Sequence, residues 1–165
     1  MKIIDNFVSD IFFNSFKNKI LDRDFAWYHQ NSKVSDNDNQ QQFTHVFYQN
    51  NSLHTEKVNF ELIKPILYTL NVKTLLRVKL NLQIKEDKVK PTLFHTDNKI
   101  KDSTTAIFYL NTNNGKTLFE NNKEVTSVAN RMVIFPSYLK HAGTTHTDTK
   151  YRIVLNINFI KKENK

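Results

Sequence analysis

The chain has no cysteine, two glycines, three prolines and a single tryptophan in 165 residues. Without thiols, disulfides, thiolate metal sites and cysteine nucleophiles are all excluded. Any metal must therefore be held by nitrogen and oxygen ligands. The lack of cysteine also fits a reducing compartment. No stretch approaches the roughly 18 consecutive apolar residues that a membrane span requires. The opening run MKIIDNFVSDIFFNSF is broken by acidic residues and followed by no small-residue cleavage site. It reads as a structural element and not as a signal peptide. Together these features predict a cytoplasmic protein with no membrane partner.

What is present is enough apolar material to fold. Hydrophobic residues make up 39% of the chain, with 13 Phe and 6 Tyr, which excludes wholesale disorder and suits one domain with its own core. The formal net charge is +8 and the sequence pI is near 9.6. Such a balance points to a nucleic-acid partner, to an acidic substrate, or to lysines scattered over the surface of a Lys- and Asn-rich chain. No dense basic cluster with interleaved aromatics stands out, which favours scattered lysines.

Val8, Ile11, Phe12, Phe16 and Ile20 recur at helical spacing, with Ser9 or Asp10 as the cap. FAWYH reads as a short aromatic strand, SKVSDNDNQQQ as a polar loop, and FTHVFYQ over 43–49 as a strand. A second helix is expected over about 58–70, kinked or delayed by Pro65. Beyond residue 74 the pattern changes to short strands with turns between them. LLRVKLNLQI alternates, putting Leu76, Val78, Leu80 and Leu82 on one face and Arg77, Lys79, Asn81 and Gln83 on the other. TTAIFYLN, SVANRMVIFPS and YRIVLNINFI follow, and Gly115 marks a tight Asn-Asn-Gly-Lys turn. The fold class is α+β, a single domain over 1–165. Residues 1–73 form a helix-and-strand support, and 74–161 a β core carrying the site.

The chemistry concentrates in His95-Thr96-Asp97, His141 and Arg152. Two imidazoles and one carboxylate on one face of an ion make the facial triad of non-haem iron oxygenases. Side chains at i and i+2 of an extended segment point the same way, so His95 and Asp97 can grip one ion. His141 arrives later, after the strands have gone out and back. Histidines 29, 45, 54 and 146 were also available, and His95 and His141 can alternatively be ordinary satisfied imidazoles. Arg152 lies within the apolar strand YRIVLNINF. A buried arginine there needs an anionic partner, and guanidinium suits a carboxylate through paired hydrogen bonds. The alternative is a rim arginine paired with a surface acid. Lys79 and Arg77 face the same side as Asn81, as contacts to substrate or as a solvated sheet face. Asn81, short and polar within an apolar strand, is the foremost of the three.

The pieces FHTDN, AIFYLN, NGKTLF, ANRMVIFPSYLKH and YRIVLNINF occur in the order found in the prolyl-4-hydroxylase-like branch of the Fe(II)/2-oxoglutarate dioxygenases, which the chain resembles over about residues 76–160. The resemblance implies a double-stranded β-helix, or jelly-roll, with the site in its open mouth. It also implies iron ligation by His95, Asp97 and His141, and oxoacid binding by Arg152. Tyr109, on the strand face of Thr105 and Ile107, is implied to donate its hydroxyl to the oxoacid; core packing is its other role. The implied cofactors are Fe(II), 2-oxoglutarate as cosubstrate, and O2. The implied reaction hydroxylates an unactivated C–H of a protein, nucleic-acid or small-molecule substrate, releasing succinate and CO2. The family turn often has paired glycines where this chain has Asn114-Gly115-Lys116, and the connection after Asp97 is short. The compact build is similar to stand-alone oxygenases of bacterial viruses, which would place it in a host cytoplasm. Two rival readings stand beside this one: a cupin-type metal enzyme that does not use 2-oxoglutarate, and a basic nucleic-acid-binding module.

Overall fold

A computed structural model describes residues 1–33 and 40–162. Most of the polar loop SKVSDNDNQQQ, residues 34–39, lies outside the described residues. The elements are β1 (Lys2–Ile4), α1 (Asp10–Ile20), β2 (Tyr28–Gln30), β3 (Gln42–Gln49), β4 (Ser52–Leu53), α2 (Lys57–Glu61) and α3 (Lys64–Thr69). They continue with β5 (Val72–Ile84), β6 (Ser103–Tyr109), β7 (Lys116–Phe119), β8 (Glu124–Thr126), β9 (Arg131–Pro136), β10 (His141–Gly143) and β11 (Tyr151–Lys161).

Helix α1 starts where a cap is available. The Ser9 side chain accepts from the Phe12 amide at 3.4 Å, meeting one of the orphan donors of the first turn. Its buried residues are Phe13, Phe16 and Ile20. Ile11, which the helical spacing counts with the apolar face, is instead 87% exposed. The expected helix over 58–70 is two short ones, with Pro65 in the first turn of α3, where its missing N–H costs nothing. Of the aromatic segment FAWYH, only its end joins β2, while Phe25 is buried against Trp27 and His45.

With so little glycine, asparagine makes the left-handed turns. Asn6, Asn50, Asn51, Asn71, Asn122 and Asn130 adopt positive φ, as does Asp102. Asn and Asp pay the smallest steric penalty there after glycine.

The large sheet runs β1-β9-β6-β11-β5-β3-β2, with β4 on β3, and the small sheet runs β10-β7-β8. All pairings are antiparallel. The two sheets face each other as a double-stranded β-helix. Strands β1 to β4 belong to the large sheet, so the first 73 residues supply framework as well as support.

Alternation sorts each central strand between two cores. Val78 and Leu80 of β5, Ala106 and Phe108 of β6, and Leu155 and Ile157 of β11 pack with α1 on the outer face. Ile107, Tyr109, Val133, Phe135 and Val154 point inward and meet Phe119 and Val125 of the small sheet. Strand β11 is consequently buried on both faces, which is why YRIVLNINF reads as almost continuously apolar. The polar residues on the inward face of β5 and β11 must then be satisfied inside the barrel.

Candidate metal and oxoacid site

His95 lies outside the named strands, in an isolated bridge to His141 at the start of β10. The two residues exchange backbone hydrogen bonds, His95 N to His141 O and the reverse, both 3.0 Å. This pairing sets the imidazoles side by side, with ring centroids 4.7 Å apart. Each Nδ1 lies 3.1 Å from a backbone carbonyl, that of Leu93 for His95 and of Leu139 for His141. A carbonyl only accepts, so each Nδ1 carries a proton, and in the neutral ring Nε2 is then the nitrogen with the lone pair, the tautomer a metal ligand needs.

Asp97 follows in a bend, with its side chain 2% exposed. Arg77 Nη2 donates to Oδ1 at 2.7 Å and the Thr105 hydroxyl to Oδ2 at 2.8 Å. Asn158 in turn donates to the Thr105 oxygen at 2.9 Å. Burial pushes the Asp97 carboxyl up, but the Arg77 guanidinium and the groups around it outweigh that and hold it below its ordinary value. Oδ2 lies 3.7 Å from His141 Nε2, too far for a hydrogen bond. Burial pushes the His141 imidazole down, more than Asp97 raises it. Among the described residues, His95, Asp97 and His141 are the cluster that brings three ligand atoms within 4.8 Å of one another.

Arg152 shares the cavity with this cluster. It is 3% exposed; Nε donates to Ser127 Oγ at 3.0 Å and the guanidinium carbon lies 5.7 Å from the Tyr109 ring centre. Among the described residues no carboxylate pairs with it, although burial works against its charge. It is thus no rim arginine. Gly115 lies against it: a Cβ there would stand 2.7 Å from Arg152 Cδ and 2.8 Å from Nε. The glycine serves this close approach and not a left-handed turn, since no glycine has positive φ.

Tyr109 is fully buried and its hydroxyl donates to Thr117 Oγ1 at 2.7 Å. Thr117 lines the cavity, while Tyr109 stands behind it. Arg77, Lys79, Asn81 and Gln83 all line the cavity, so the polar face of β5 looks inward and is not a solvated surface. The cavity holds about 290 Å³. Burial pushes the Lys79 ammonium down to about 8, with Arg77 adding to the shift and Asp97 opposing it.

Several supports were missed in the sequence: Thr105, Ser127, Asn156 and Asn158. Asn156 and Asn158 carried a usable signal. Asparagine is depleted in strands, and here two sit at i and i+2, inward, in an otherwise apolar strand. Thr105 and Ser127 carried none.

No family model matches the chain, and no curated protein matches it by sequence. Solved structures do match by shape. A prolyl-4-hydroxylase from Pseudomonas putida aligns with TM-score 0.67 at 14% identity, over 98% of this chain and 92% of that one. A prolyl hydroxylase from Trichoplax adhaerens, in complex with a hypoxia-inducible-factor peptide fragment, aligns with TM-score 0.62 at 15% identity, over 96% and 82%. The epimerase SnoN from nogalamycin biosynthesis aligns with TM-score 0.68 at 11% identity, over 96% and 77%. These likenesses show the fold, a double-stranded β-helix. Among the described residues no helix is long and apolar enough to cross a membrane.

Proposed function

We propose that this protein is an Fe(II)- and 2-oxoglutarate-dependent oxygenase that hydroxylates an unactivated C–H. The observation that carries the reading is Arg152, a buried guanidinium without a carboxylate partner among the described residues, in one cavity with a His-Asp-His cluster. A metal site alone, as in a cupin of other chemistry, would leave that charge unmatched at a large cost. An oxoacid with two carboxylates would supply an anion for Arg152 and a ligand for the ion.

The residues fit the group on chemical grounds. Nitrogen and carboxylate ligands suit Fe(II), and both imidazoles already present Nε2. His95, Asp97 and His141 would hold the ion. Iron and 2-oxoglutarate supply the oxidising chemistry when bound, with succinate and CO2 as products. The chain does the rest. Arg77 and Thr105 fix the carboxylate of Asp97, and the Leu93 and Leu139 carbonyls fix the ring tautomers. Arg152 would receive the far carboxylate of the oxoacid, with Tyr109 beside it and Thr117 in the cavity lining. Val154 and Ile107 supply apolar walls that exclude water.

Hydroxylation is supported by likeness to two hydroxylases, while the SnoN epimerase shows the same fold serving another outcome. The test is succinate formation from 2-oxoglutarate under air with Fe(II) and ascorbate. Slow substrate-free turnover that stops in Asp97→Ala supports the reading. Folded, iron-loaded protein that never forms succinate opposes it.

A further inference from the structure

The β5 wall of the cavity carries a charge that neither the metal cluster nor the oxoacid clamp uses. Lys79 lines the cavity half-buried, and among the described residues it makes no hydrogen bond or ion pair. In register it lies between Asn156 of β11 and Val46 of β3, neither of them acidic. Arg77, two residues earlier on the same face, is committed to Asp97 and still has a buried Nε without a partner. Two residues later, Asn81 also faces the cavity.

The charges that line the cavity do not balance. Lys33, Arg77, Lys79 and Arg152 are cationic, and Asp97 is the lone carboxylate among the lining residues. A divalent metal and a doubly charged oxoacid cancel each other, so loading the site leaves the surplus in place. A half-desolvated ammonium with no anion is costly, and a carboxylate or phosphate within reach relieves that cost. Room is limited as well. A cavity of about 290 Å³ is at the small end for ligand sites of roughly 300–1,000 Å³, and it must also admit the oxoacid. An anionic group that reaches Lys79 is therefore close to the reacting atom. An uncharged prolyl ring would leave Lys79 unmatched.

We propose that the primary substrate bears a carboxylate or phosphate near its reacting carbon, and that Lys79 receives that group with Asn81 beside it. The inference rests on the oxygenase reading above, and its test separates the two. Protein loaded with Zn(II) and the unreactive oxoacid analogue N-oxalylglycine is titrated calorimetrically with inorganic phosphate, acetate and acetamide. The expected result is that one anion binds at least about tenfold more tightly than acetamide, the scale of a charge-assisted hydrogen bond. Whether phosphate or acetate binds more tightly identifies the group. In Lys79→Gln the anion should weaken by roughly tenfold while the analogue changes by less than about twofold, and Lys79→Arg should restore the anion. Anion and amide binding alike in wild type would overturn the proposal without any variant. So would Lys79→Gln that loses the analogue instead of the anion, since Lys79 would then serve the cosubstrate. Wild type that takes up neither Zn(II) nor analogue would overturn the oxygenase reading and this inference together.

Discussion

At the scale of single residues, the site depends on groups that hold other groups in place. Gly115 is the sharpest case, because its backbone is unexceptional and its constraint is space. A Cβ there would lie 2.7–2.8 Å from Arg152 Cδ and Nε and from Asn113 Oδ1, and Arg152 has little freedom to give way beside Ser127 and Tyr109. Gly115→Ala should therefore weaken 2-oxoglutarate roughly tenfold while metal affinity stays near wild type, read by calorimetry on the Zn(II)-loaded protein. Equal oxoacid binding would mean that the arginine relaxes freely. Arg77 is the counterpart on the metal side. Arg77→Ala removes the 2.7 Å bond to Asp97 Oδ1 and should lower metal affinity by about 10–100-fold, the usual effect of losing a group that orients a ligand. Metal binding unchanged in that variant would show that Thr105 and Asn156, which donates to both Asp97 oxygens at 3.5 Å, suffice.

Among the elements, α1 shows what periodicity reveals and where it misleads. Its existence and cap follow from the spacing of Phe12, Phe16 and Ile20 after Ser9, but the buried stripe turns toward Phe13 and leaves Ile11 in solvent. Phe16→Ala should cost about 3–5 kcal/mol, as core Phe truncations do, whereas Ile11→Ala should fall within about 0.5 kcal/mol. Urea unfolding of the two variants checks this, and similar losses in both would contradict the assigned face. Strand β5 was legible in more detail. Strict alternation separated Val78 and Leu80 from Arg77, Lys79, Asn81 and Gln83, and the structure keeps those faces. Alternation assigns a face, however, and not the neighbour across the barrel. That Arg77 meets Asp97 depends on how the segment after β5 folds back, which local pattern does not encode.

For the whole molecule, the candidate cluster of His95, Asp97 and His141 and the buried Arg152 drew notice in the sequence because their chemistry is unusual for their surroundings: an HxD ahead of strands, and an arginine inside an apolar run. The supports around them are threonine, serine and asparagine, which are common everywhere and become informative once the sheets are paired. The fold also sets a pH response. Burial lowers the pKa of His45, His141 and His146 from the ordinary value of 6.5. A histidine with a depressed native pKa takes up protons in the unfolded chain first as pH falls. These histidines should thus cost metal-free protein nothing above about pH 6.5 and progressively more stability toward pH 5. Urea midpoints at pH 7.5 and 5.5 measure this, and an equal or higher midpoint at pH 5.5 would contradict it. The central proposal, that His95, Asp97 and His141 would hold Fe(II) and Arg152 would bind 2-oxoglutarate in the same cavity, is tested most directly by anaerobic titration with Fe(II) and then 2-oxoglutarate, followed by visible absorption. The account predicts a weak charge-transfer band that needs both additions, is absent in Asp97→Ala and is weakened in Arg152→Ala. Well-folded wild-type protein that binds no iron and gives no band would contradict it.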